Sequence, residues 1–119
     1  MPKYTDDHEL FELMKRELFT AVVGDVMDVM GLVHQFLPPY IKPLESSMLV
    51  IGRAMTVLEA DCVGDYVNSK GKREPFGVMF EALDTLKPND VYICTGGSHN
   101  YALWGELMST CAGGFRYIS

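Results

Sequence analysis

The sequence has no apolar run near the ~18 residues that a membrane-spanning helix requires. Its first ten residues, MPKYTDDHEL, carry charges where a secretory leader would have an apolar core. Cysteines are few: Cys62, Cys94 and Cys111 are odd in number, far apart and in no CxxC pair. That pattern argues against a disulfide or zinc framework and predicts reduced, buried thiols, so the chain is expected to be cytoplasmic. Basic residues are also scarce, with 10 Lys and Arg against 16 Asp and Glu and a net charge of −6. They read as scattered, whereas a phosphate backbone requires a basic patch, so neither nucleic acid nor a membrane is expected as a partner. There is no internal repeat and no low-complexity segment.

An apolar fraction of 48% over 119 residues suits one globular domain or part of one. Asp6 or Asp7 can cap a first helix carrying Leu10, Phe11, Met14 and Leu18 at helical spacing. A second helix is expected from Thr20 to Met30, ended by Gly31. The prolines of Leu37 to Pro43 force an extended connector. Met48 to Glu59 reads as a long buried strand with a bend or bulge at Gly52. Asp61 to Glu74 is a polar loop, Pro75 suits a first helical position, and Phe76 to Leu86 forms a helix burying Val78, Met79, Ala82, Leu83 and Leu86. Lys87 to Asp90 is a turn and Val91 to Thr95 a short strand. A Gly96–Asn100 loop then feeds a last helix ending near Ala112. The element order implies an α/β architecture. Two strands fall short of the three or so that a stable sheet requires, so the fragment is expected to complete its core with more chain or another subunit.

The stretch from Gly96 to Met108 is the most informative. It leaves a strand at its C-terminal end, where α/β proteins bind ligands. Gly96 and Gly97 allow a ligand to approach the backbone closely. If Gly105 opens the helix, the amides of Glu106, Leu107 and Met108 have no intrahelical partner and can cradle a carboxylate or phosphate. Asn100 could instead cap a helix from Tyr101, which would leave Gly105 in mid-helix. The residues alone admit both starts.

The string Ala102-Leu103-Trp104-Gly105-Glu106-Leu107-Met108 after a Gly-Gly loop resembles the signature of the RraA-like family. Three further stretches are similar to that family in order and spacing: Thr20 to Asp28, Leu37 to Leu44, and Gly52-Arg53-Ala54-Met55-Thr56-Val57. The resemblance runs from about residue 18 to 112, with 113–119 a divergent tail of a single partial domain. It implies a swivelling β/β/α domain assembled as a homo-oligomer, a trimer or hexamer, with sites between subunits. It also implies a divalent ion, Mg²⁺ or Mn²⁺, that polarises a 2-keto acid and stabilises the pyruvate enolate. The substrates implied are 4-hydroxy-4-methyl-2-oxoglutarate or 4-carboxy-4-hydroxy-2-oxoadipate, with oxaloacetate decarboxylation as a second activity. Carried onto this sequence, Gly97, Gly105, Leu107 and Met108 bind the substrate carboxylate, and Glu106 handles water or a proton. The resemblance favours the helix start at Gly105.

The family follows this helix with a strand bearing an Arg-Asp pair, Arg for substrate and Asp for metal. Here Gly113 to Ser119 departs from that pattern, and Tyr117 follows Arg116, so neither role is assigned and no metal ligand is named. The chain is accordingly expected to be a truncated N-terminal portion with impaired catalysis. The alternative is a protein-binding regulator of the ribonuclease-inhibitor type, for which an acidic surface suits basic partners. Among other residues, Asp25 and Asp28 read as a solvated helix face, and His8, His34 and His99 as surface positions. Met14, Met27, Met30, Met55, Met79 and Met108 read as packing. Trp104 is expected to pack the loop on the core, and Arg53 either pairs at an interface or is exposed at a strand edge.

Overall fold

A computed structural model of the chain describes residues 3–61, 67, 69–74 and 76–113. Cys62, Pro75 and the Gly114–Ser119 tail lie outside them. Residues 1–52 and 53–119 form two compact units.

In the first unit, α1 spans Asp7–Glu17 and α2 spans Thr20–Val29. Asp6 caps α1: its Oδ1 accepts from the Glu9 amide at 2.8 Å, while the Glu9 carboxylate accepts from the Thr5 amide at 2.8 Å. One orphan helix amide, that of Glu9, and the amide just ahead of the cap are thereby satisfied. Lys15 and Arg16 lie in the last turn, where cations oppose the helix dipole. Past the end of α2, the Gly31 and Leu32 amides bond back to the Asp28 and Met27 carbonyls, each at 2.9 Å, which closes the helix in a Schellman motif. Gly24 is buried because the ring of Phe36 occupies the space a Cβ would take. The proline-rich connector has no regular structure, as expected. Met30, expected to pack, is exposed, since it forms the cap rather than the inner stripe of α2.

The second unit is built on two parallel strands, β1 (Arg53–Glu59) and β2 (Asp90–Gly96), paired from Arg53↔Asp90 to Glu59↔Gly96. Helix α3 (Val78–Asp84) lies between them in sequence and α4 (Glu106–Gly113) follows. This mix of helices with a small parallel sheet is compatible with an α/β fold. Leu83, Met108 and Ala112 are buried here.

Four sequence expectations need correction in this unit. The strand expected from Met48 begins only at Arg53, because the chain bends at Gly52 and β2 offers no partner before Asp90, which a Lys87–Asp90 turn precedes. That strand is also not buried throughout. Met55, Val57 and Glu59 share a half-covered face with Tyr92 and Cys94, whereas Ala54, Thr56 and Leu58 are exposed on the other. An alternating pattern is what a sheet covered on one side produces. The helix expected from Phe76 starts at Val78, since Phe76 and Gly77 have φ of 60° and 48°, outside the helical region. Val78 is therefore at the exposed first turn instead of in the core. The thiols are less buried than expected: Cys94 is half-buried on the covered sheet face and Cys111 is exposed on α4.

Candidate functional site

Because β1 and β2 run parallel, the loops that follow them leave the sheet at the same edge. A direct bond joins the two loops: the Ser98 amide donates to Asp61 Oδ1 at 2.8 Å. Hydrogen bonding to Ser98 holds the Asp61 carboxyl below its ordinary range, so it is charged at neutral pH. Gly96 makes this junction possible. Its φ is 97°, and a Cβ would collide with the Glu59 carbonyl oxygen of the neighbouring strand.

Beyond Gly97 the chain turns, with the Asn100 amide donating to Ser98 Oγ at 3.2 Å. Asn100 therefore caps no helix. The first bond of α4 runs from the Ser109 amide to the Gly105 carbonyl at 3.0 Å, so Gly105 is the position that opens the helix. The amides of Glu106, Leu107 and Met108 precede that bond at the positive end of the helix dipole.

Two contacts fix this helix start. The Trp104 ring lies 4.9 Å from that of Tyr92 on β2, centroid to centroid, and its Nε1 donates to Ser109 Oγ at 2.7 Å. Trp104 thus packs the loop on the sheet, as expected. Met108 points inward and is only 6% exposed, which leaves Leu107 outward at 78%. On the same sheet face the Tyr92 hydroxyl donates to Glu59 Oε1 at 3.4 Å. Burial first, then the nearby Glu59 charge, pushes the phenol up to about 12. Burial likewise raises the Cys94 thiol, followed by the Glu59 charge.

Gly97, Gly105, Glu106, Leu107 and Met108 thus fall within one loop and helix start at the C-terminal edge of the sheet. Glu106 is exposed at the first helical position. Asp25 and Asp28 are exposed on α2, as are His8, His34 and His99 in their own segments. Arg53 is exposed at the head of β1, its amide donating to the Asn89 carbonyl at 2.8 Å. Sequence reasoning missed Asp61, whose signal was an acid immediately past a strand facing a Gly-Gly-Ser loop. It also missed that Trp104 and Ser109 are partners five residues apart.

Among the described residues no three His, Cys, Asp or Glu side chains converge as a metal site. No described helix is long and apolar enough to cross a membrane.

No curated protein and no solved structure matches the chain. A sequence model of the family described as RraA-like (Aldolase/RraA) matches residues 20–114, which is most of the chain and includes α2, both strands and α4. By that match, the chain belongs to the RraA-like family.

Proposed function

We propose that this chain is an RraA-like protein of the aldolase type, on a swivelling β/β/α domain, that binds a 4-hydroxy-2-keto diacid and releases pyruvate. Oxaloacetate decarboxylation is part of the same reading, because both reactions pass through a pyruvate enolate. The observation that carries it is the start of α4 at Gly105, immediately after a strand-end Gly-Gly loop. There the amides of Leu107 and Met108 donate to the substrate carboxylate, and Gly97 gives its backbone room. In aldol cleavage the C3–C4 bond breaks, its electron pair passes into the enolate, the 4-hydroxyl loses its proton and C3 gains one. Glu106, exposed beside the cradle, is the group that holds or moves a proton there. The Mg²⁺ or Mn²⁺ expected from the family would polarise the keto acid and stabilise the enolate charge.

The test is a titration of oxalate, a stand-in for the pyruvate enolate, followed by amide resonances. Binding should be weak, since a helix terminus gives an exposed anion only about 0.3–1 kcal/mol. The Leu107 and Met108 amides should move while those of α1 stay fixed. No movement at millimolar oxalate, with or without Mg²⁺, would rule the reading out.

A second reading, a non-catalytic protein-binding regulator, draws on a separate observation. Val29, Met30, Phe36, Leu37, Tyr40 and Leu44 expose large apolar side chains in the first unit. The same surface suits self-association into a trimer or hexamer in the cytoplasm. Sedimentation separates these readings: a concentration-independent trimer or hexamer favours self-association, and a monomer favours a different partner.

A further inference from the structure

The amide and both oxygens of Ser98, the residue after the Gly96–Gly97 pair, are each engaged. Its amide donates to Asp61 Oδ1 at 2.8 Å, its Oγ accepts from the Asn100 amide at 3.2 Å, and its carbonyl accepts from the Tyr101 amide at 3.5 Å. The last two bonds are local and close the turn beyond Gly97. The first reaches 37 residues back, to the loop that follows β1. Asn100 and Tyr101 therefore set the shape of the turn, and Asp61 fixes where it sits.

From this anchor, contacts run on toward the start of α4. A Cβ built on Gly97 would stand 3.5 Å from Asp61 Oδ1 and 3.2 Å from Leu103 Cδ2. Gly97 is thus flanked by the carboxylate and by a half-buried leucine. Leu103 directly precedes Trp104, whose ring rests on Tyr92 and whose Nε1 donates to Ser109 Oγ. Asp61, Gly97, Leu103 and Trp104 in this way join the loop after β1 to the opening of α4.

As a charge, an acid on this edge opposes an anionic ligand by repulsion. As a hydrogen-bond acceptor it does the reverse, because it removes freedom from the loop before the ligand arrives, and such preorganisation raises affinity. Asp61 is exposed, so water and salt screen its repulsion, whereas its bond to Ser98 is made at contact distance. The hydrogen-bond effect should therefore win. We infer that Asp61 is a positioning residue: through Ser98 it holds Gly97 and the α4 start in the arrangement that takes the ligand carboxylate. The inference rests on the proposed function, and it assigns a role to a side chain outside the loop and helix that carry the cradle.

The test uses the full chain, with oxalate as the probe and the Leu107 and Met108 amide resonances as the readout. D61A removes the acceptor and should bind oxalate about fivefold more weakly, the weight of about one hydrogen bond. D61N keeps an acceptor in the same place without the charge, and should restore most of that loss. Tighter binding in both variants is what charge repulsion alone would give, and equal loss in both would trace the effect to the charge. Either result overturns the inference and leaves the cradle reading intact. A lower urea midpoint in D61A with oxalate affinity unmoved would show a purely structural role and overturns it as well. The unaltered chain supplies a check that needs no variant. Coupling between the bond and the ligand is reciprocal, so saturating oxalate should slow exchange of the Ser98 amide by about the same fivefold. Unchanged or faster exchange would mean that the anion ignores or displaces Asp61, and the inference fails. If oxalate leaves Leu107 and Met108 unmoved in the unaltered chain, the cradle reading fails and the role of Asp61 fails with it.

Discussion

Gly96→Ala should be among the most damaging single-methyl changes in the second unit, and Gly97→Ala, one residue on, should be mild. Both glycines have positive φ, 97° and 67° respectively. Holding alanine in a left-handed conformation costs about 1–2 kcal/mol, and the value at Gly96 lies farther from the αL well, where strain of about 1–3 kcal/mol is usual. The surroundings then separate the two. At Gly97 the new methyl meets the end of the Leu103 side chain at 3.2 Å, which can rotate away. At Gly96 it meets the Glu59 carbonyl of the paired strand, and only a shift of the β1–β2 ladder relieves that overlap. Overpacking of this kind adds about 1–3 kcal/mol. The expected losses are about 3 kcal/mol for Gly96→Ala and about 1 kcal/mol for Gly97→Ala. Trp104 is the one tryptophan and stacks on Tyr92 of β2, so its fluorescence reports this unit during urea unfolding. With a slope of about 1.5 kcal/mol per molar urea, the Gly96 variant should lose about 2 M in midpoint and the Gly97 variant under 1 M. Equal midpoint shifts would refute the argument, because they would mean that the clash with the Glu59 carbonyl carries no weight.

Trp104→Phe removes the bond to Ser109 Oγ and part of the Tyr92 stack, so α4 should lose about 1–2 kcal/mol, read as faster amide exchange in Ser109 to Ala112 with α1 unchanged. Tyr92 should ionise only near pH 12, as a late step in tyrosinate absorbance that Tyr92→Phe abolishes. Its folded pKa is raised above the unfolded value, so its contribution to stability is present below about pH 10 and is lost as the pH climbs toward 12. Asp61 shifts the other way: its contribution is present above the ordinary carboxylate range and is lost as the pH falls through its lowered pKa. Carbon-detected titration should show this carboxyl protonating late on acidification. In Asp61→Asn the acid-side shift of the Ser98 amide should disappear.

Local chemistry determined much of this protein in advance. Asp6 as a cap, Gly31 as a helix stop, the proline-bound connector and the turn before β2 each depend on neighbours a few residues away, so the sequence carries them directly. The family is equally legible, because it rests on strings such as Ala102 to Met108 rather than on contacts. The residues left open whether the last helix starts after Asn100 or at Gly105. That choice turns on Trp104 reaching both Tyr92 and Ser109, and the partner on β2 is non-local. Where β1 begins, and which of its faces is covered, followed from the register with a strand over thirty residues away. Asp61 became a site residue only when parallel pairing brought its loop to Ser98.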